Sequence, residues 1–237
     1  MTAPALAEPI TTPGTLEVFP HILQRTDEWY ALRAGIITAS AVHGLITTKT
    51  LAVADNDISR GIIAAAAAER IAGFVDPTFA TLDMQRGVDD EPFAVDAYAE
   101  HHAPVTDCGF MIRTFPDGAR LGYSPDGTVG DDGLIEIKSR RGKKHVETVV
   151  SDQVPAENIA QIQCGLLVSG RAWCDYVSYS AGLHLWAKRV HPDPRWFAAI
   201  TAAHEAFEAA VTRTVDTYTA AVAGRPQTER PILEMVI

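Results

Sequence analysis

The sequence predicts an α/β fold: one domain with a central mixed β-sheet flanked by helices. Three observations predict it. Apolar residues recur at helical spacing early in the chain and again near its end. The centre holds short strand-like runs punctuated by Asp-Gly pairs. A helical stretch separates that centre from two further alternating strands. A chain of 237 residues suits a single large domain, here expected over 23–237 and ending in a long helix.

Taken in order, residues 1–22 are rich in Pro, Thr and Ala without apolar periodicity and read as a loosely ordered arm. Over 26–46 the pattern is helical, with Trp29, Leu32 and Arg33 on adjacent turns; residues 36–40 break into a turn, and Ser40 is placed to cap a following short helix. An alanine-rich helix over 59–74 is followed by another over 83–102, where Pro92 either kinks the helix or starts a new one. Strands are expected at 108–114, 120–124, 128–129 and 133–138, with hairpins at Asp117-Gly118, Asp126-Gly127 and Asp132-Gly133. A helix at 155–168, strands at 173–180 and 183–189, and a helix carrying Trp196, Ile200, Phe207, Val211 and Tyr218 complete the order.

Composition excludes several classes. Cys108, Cys164 and Cys174 are scattered and odd in number, which argues against a disulfide framework, a zinc ribbon or a four-cysteine iron–sulfur cluster. No apolar tract is long enough to cross a bilayer and no signal peptide is apparent, so the cytoplasm is the expected location and no membrane partner is expected. The net charge of −10 speaks against a polyanionic partner in the far field. A local groove can still bind one, and Lys138, Arg140, Arg141, Lys143 and Lys144 form a basic cluster, read as a loop with a phosphate-facing role.

The chemistry centres on Ser124-Pro125-Asp126-Gly127 and Glu136-Ile137-Lys138. Strand alternation puts Leu134, Glu136 and Lys138 on one face, with Ile135 and Ile137 on the other. Separately, Glu-x-Lys is an ordinary ion pair and Asp-Gly an ordinary turn. Together, Asp126 and Glu136 can ligate a hard cation such as Mg²⁺, with the Ile137 carbonyl completing the protein's share. Lys138 is then placed to orient a nucleophile or stabilise a pentavalent phosphate. His43, His101, His102 and His145 form no ligand-spaced pair with a carboxylate and read as structural or surface residues.

The Asp…Glu-x-Lys pattern resembles the PD-(D/E)XK nuclease superfamily, which implies a restriction-endonuclease-like core. Residues 26–40, Thr26-Asp27-Glu28-Trp29-Tyr30-Ala31-Leu32-Arg33-Ala34-Gly35-Ile36-Ile37-Thr38-Ala39-Ser40, look like the opening signature of the phage lambda exonuclease/YqaJ-type recombinase family. Gly87 with Glu91, and Ala160-Gln161-Ile162-Gln163, follow in that family's order, so the likeness spans about 24–190. It implies that Asp126 and Glu136 bind metal, joined by Glu91, that Lys138 is catalytic, and that Gln161 positions the nucleophile or terminal nucleotide. Arg33, Ser40 and Ser124 correspond to a pocket for a 5′-phosphate. Pro92 beside Glu91 departs from the pattern.

The implied activity is a Mg²⁺-dependent exonuclease, Mn²⁺ substituting, that resects double-stranded DNA from 5′-phosphorylated ends and leaves 3′ single strands for recombination. The implied partners are DNA ends, further copies in a ring-shaped homo-oligomer (a trimer) and a single-strand annealing recombinase, in the host cytoplasm if the protein is phage-encoded. Two alternatives stay open on the residues: an endonuclease or repair nuclease of the same superfamily, and a non-catalytic DNA-end-binding scaffold.

Overall fold

The structure is a computed structural model that describes residues 12–76 and 81–229. It opens with β1 (Thr15–Phe19), α1 (Asp27–Arg33), β2 (Ile37–Thr38), a 3₁₀ turn (Val42–Leu45) and the small hairpin β3 (Ile46–Thr47) and β4 (Ala52–Val53). Helices α2 (Asp57–Ala72) and α3 (Leu82–His101) precede four strands: β5 (Phe110–Thr114), β6 (Arg120–Tyr123), β7 (Gly127–Val129) and β8 (Gly133–Ser139). The remainder is α4 (Gly142–Ser151), α5 (Ala156–Ser169), β9 (Trp173–Tyr179), β10 (Trp186–Val190) and α6 (Pro194–Ala221).

The expected central mixed sheet is divided in two. One four-stranded sheet has the order β1-β5-β6-β2 and the other β10-β9-β8-β7. Each is mixed, because β2 runs parallel to β6 and β8 parallel to β9. Parallel neighbours need a long crossover, which α4 and α5 supply between β8 and β9. Asp117-Gly118 does turn the β5–β6 hairpin, with Gly118 at φ +86°. Asp126-Gly127 does not turn a hairpin: β6 and β7 lie in different sheets, so Ser124-Pro125-Asp126 carries the chain from one sheet to the other. A Cβ at Gly127 would stand 2.3 Å from Val105 Cγ1, so that passage has room only for glycine.

Strand β8 is covered on both faces. Leu134 packs with Ile162, Leu166, Ile200 and Phe207, while Ile135 and Ile137 pack with Ala94, Tyr98 and Val177. The alternation read from the sequence is therefore observed, and it sends Glu136 toward α5. Helix α3 runs through Pro92 without interruption, although the ring forgoes the bond to the Val88 carbonyl.

Four other expectations are corrected. The arm expected through residue 22 contains β1, whose exposed Leu16 and Val18 give no burial signal and which is held by its ladder to β5; residues 1–11 lie outside the described residues. The helix expected over 26–46 stops at Arg33, because Gly35 adopts φ +70°. Ser40 does not cap the next turn, whose N-cap is Ala41 without a side-chain bond. The basic loop is the start of α4: Arg140 bonds Tyr176, Asn158 and Glu157, and Arg141 bonds Asp83, so two of its cations are spent inside the protein. The last helix covers the core from Trp196 to Val211.

Candidate active site

Glu136 is the most buried of the expected site residues, at 1 % exposure on an otherwise apolar strand centre. A carboxylate there requires donors, and it has three. Lys138 Nζ donates to Oε1 at 2.7 Å, Gln161 Nε2 donates to the same oxygen, and the Tyr123 hydroxyl donates to Oε2 at 3.3 Å. Lys138 and Glu136 meet because residues two apart on a strand share a face. Gln161 reaches them from α5, and Tyr123 from the end of β6, the residue before the passage between sheets.

Asp126 sits on that passage. Its Oδ2 accepts the Ile137 N–H at 2.6 Å, replacing the ladder bond that ends where β7 begins at Gly127↔Ile135. The N–H and C=O of one strand residue face the same edge, so the Ile137 carbonyl is directed to the Asp126 side. Glu91 comes from α3 and lines a cleft of about 500 Å³ together with Asp126, Arg25, Asp107 and Pro125. Its nearest cation is Arg25, at 3.6 Å.

These carboxyls press on one another. Burial, and then the charge of Glu136, pushes the Asp126 carboxyl well above the usual range. Burial also raises Glu91, opposed by Arg25 and reinforced by Glu136. At Lys138, burial works against the charge, but Glu136 and Asp126 overcome it and raise the ammonium to about 12. Among the described residues no three His, Cys, Asp or Glu side chains converge at ligating distance, since each carboxylate turns to its own donor. The donor set is nonetheless all oxygen, without histidine or thiolate, and mutually repelling, which suits a hard divalent cation.

A second cleft, of about 580 Å³, adjoins the first and is lined by Arg25, Trp29, Arg33, Thr38 and Ser40 among others. The Arg33 guanidinium lies over the Trp29 ring, 3.7 Å from its centroid, and donates to Thr38 Oγ1 at 3.3 Å. Thr38 and Ser40 hydroxyls are 3.2 Å apart. The backbone behind them is clamped: Gly35 N–H donates to Glu69 and Arg70 Nε donates to Gly35 O, both at 2.8 Å. Ser124 lines neither cleft; its hydroxyl accepts from Trp29 Nε1 at 2.9 Å and so ties the two sites together.

The structure thus gathers Glu136, Lys138 and Gln161 in one contact network, Asp126 and Glu91 on one cleft, and Arg33 and Ser40 on the other. The sequence reading missed Thr38 and Tyr123, and gave Trp29 no part in the site. Thr38 shares the alternation of Ile37-Thr38 beside Ser40; no local signal marks Tyr123. His145 is structural as expected, its ring bonded to Ser178 and to the His184 carbonyl.

Comparison with known proteins places the chain in a family. Residues 28–172 match the YqaJ-like viral recombinase domain. The alkaline exonuclease of Laribacter hongkongensis is 32% identical, with 84% of this chain and 98% of that one covered and a TM-score of 0.74. The same enzyme in complex with dAMP gives a TM-score of 0.73 at 32% identity over the same shares. A phage-related exonuclease of Haemophilus somnus 129PT, 11% identical over 77% of this chain and 96% of its own, shares the fold with a TM-score of 0.59. Comparison with curated proteins gives no match. Among the described residues no helix is long and apolar enough to cross a membrane.

Proposed function

The chain belongs to the YqaJ-like viral recombinase domain family and is a DNA nuclease of the exonuclease type, and on that premise we propose that it resects duplex DNA in the 5′-to-3′ direction from 5′-phosphorylated ends. The observation that carries the polarity is the pairing of clefts. A guanidinium with two hydroxyls lines a cleft that adjoins the one lined by Asp126 and Glu91, so a terminal phosphate held at Arg33 presents the next phosphodiester to the carboxylates.

Nucleases of this family use divalent metals, and we assign Mg²⁺ here, Mn²⁺ substituting, with Asp126, Glu136, Glu91 and the Ile137 carbonyl as its ligands. When bound, the cation polarises the phosphodiester and lowers the pKa of a water. Lys138, bonded to Glu136 at 2.7 Å, acts as a fixed cation toward the charge developing on the phosphate. Gln161 keeps Glu136 oriented from α5. Arg33 and Ser40 hold the terminal phosphate, and Ser124 fixes Trp29 beneath Arg33.

Assembly as a ring-shaped trimer, work with a single-strand annealing recombinase and a role in recombination in the host cytoplasm complete the proposal on family resemblance alone. The test is digestion with Mg²⁺. Linear 5′-phosphorylated duplex should be shortened to mononucleotides and 3′ single strands while covalently closed duplex stays intact. Cutting of closed circles would favour the endonuclease reading, and no cutting of either would favour the scaffold.

A further inference from the structure

Arg25 is the cation common to both clefts, lining the carboxylate cleft with Glu91 and Asp126 and the phosphate cleft with Arg33 and Ser40. It was not among the residues that the sequence singled out. Its backbone is in the left-handed region, at φ 69°, where glycine would rest without strain. The turn around it is tight: Thr26 Oγ1 donates to the Leu23 carbonyl at 2.8 Å and accepts the Trp29 N–H as the cap of α1.

What the fold gains from an arginine here is small. Its ion pair with Glu91 is long, at 3.6 Å, with 46 % of the Arg25 side chain exposed, and such pairs contribute little. A strained position occupied by a half-exposed cation points to a task outside folding. We propose that Arg25 is a DNA-contacting residue that binds the backbone phosphate passing from the Arg33 cleft to the carboxylates, with Glu91 as its resting partner. This rests on the nuclease reading above. It adds a contact that reading does not need.

The resting pair has a further consequence. Arg25 and a divalent cation draw on the same Glu91 carboxylate, so the guanidinium opposes metal binding while it favours DNA. Losing it should shift the two affinities in different directions, which a merely structural residue would not do.

The test uses the full chain with Arg25→Gly and Arg25→Lys. Glycine accepts the turn and lysine keeps the charge. Three quantities are measured: melting temperature, affinity for a 5′-phosphorylated duplex end by fluorescence anisotropy in EDTA, and Mn²⁺ affinity by calorimetry without DNA. For Arg25→Gly the expected result is an unchanged or higher melting temperature, DNA-end affinity weakened about tenfold, and Mn²⁺ binding unchanged or tighter. Arg25→Lys should recover part of the DNA affinity. Unchanged end affinity in Arg25→Gly overturns the proposal. So does a lowered melting temperature with weakened Mn²⁺ binding, which would make Arg25 a structural residue. Failure of the wild-type protein to digest DNA would instead strike the nuclease reading itself.

Discussion

The two clefts share a wall but are prepared in opposite ways. The phosphate cleft is complete in itself: Arg33 is stacked on Trp29, bonded to Thr38 and backed by a clamped glycine. The carboxylate cleft is not at rest. Burial, and after it the charge of Glu136, raises the affinity of Asp126 and Glu91 for protons, and Glu91 is held by an arginine 3.6 Å away. Recognition is built into the backbone, whereas the cutting centre holds buried, crowded carboxyls that a cation would compensate. Preorganised donors hold an anion without rearrangement. Crowded carboxylates instead supply the driving force for binding metal.

The largest effect that tests this difference is on chemistry alone. Lys138→Ala should lower turnover about 10²–10³-fold, the scale of losing one preorganised charge, with affinity for DNA ends retained. Single-turnover digestion and anisotropy on the same variant check it, and a parallel loss of both would merge the two clefts into one site.

Metal linkage comes next. Mg²⁺ at a hundred times its dissociation constant should stabilise the protein by about 2.7 kcal/mol, read as a thermal shift that EDTA reverses. The sign of its pH dependence follows from Asp126. With its folded pKa above the unfolded one, the metal-free protein loses stability as pH rises from the ordinary carboxylate range through the raised value. A cation takes the place of that proton, so the Mg²⁺ shift should grow over the same interval and level off above it. A shift independent of pH there would remove Asp126 from the ligands.

A smaller effect is expected behind the phosphate cleft. Gly35→Ala places a Cβ 2.4 Å from Arg70 Cγ at φ +70°, and should cost about 1–2 kcal/mol by denaturant melting. End affinity should fall with it, because the clamp sets Arg33, while Mg²⁺ binding is untouched. Loss of Mg²⁺ binding instead would break the separation.

Much of this was legible in the sequence where periodicity carried information. The alternation around Glu136 gave its face correctly, and the spacing of Trp196, Ile200, Phe207 and Val211 gave the buried stripe of the last helix. Elements without a buried stripe were lost. Strand β1 shows its apolar residues to solvent, and α4 begins with glycine and lysines after an arginine that makes no side-chain cap. The division into two sheets was equally unreadable, since Asp126-Gly127 looks the same whether it turns a hairpin or carries the chain between sheets. Within the site, Lys138 and Glu136 are neighbours by local geometry. Gln161 was marked by its motif, whereas Tyr123 and Arg25 reach their carboxylates only through tertiary packing, which no pattern along the chain encodes.

The division of labour is tested most directly by the ratio of kcat/KM on 5′-phosphorylated and 5′-hydroxyl duplex ends, for the wild-type protein and Arg33→Ala. The account predicts a clear preference for the phosphate in the wild type. In Arg33→Ala that ratio should collapse toward one, while 5′-hydroxyl ends are digested at about the wild-type rate. A variant that keeps the preference, or that loses both substrates equally, would contradict it.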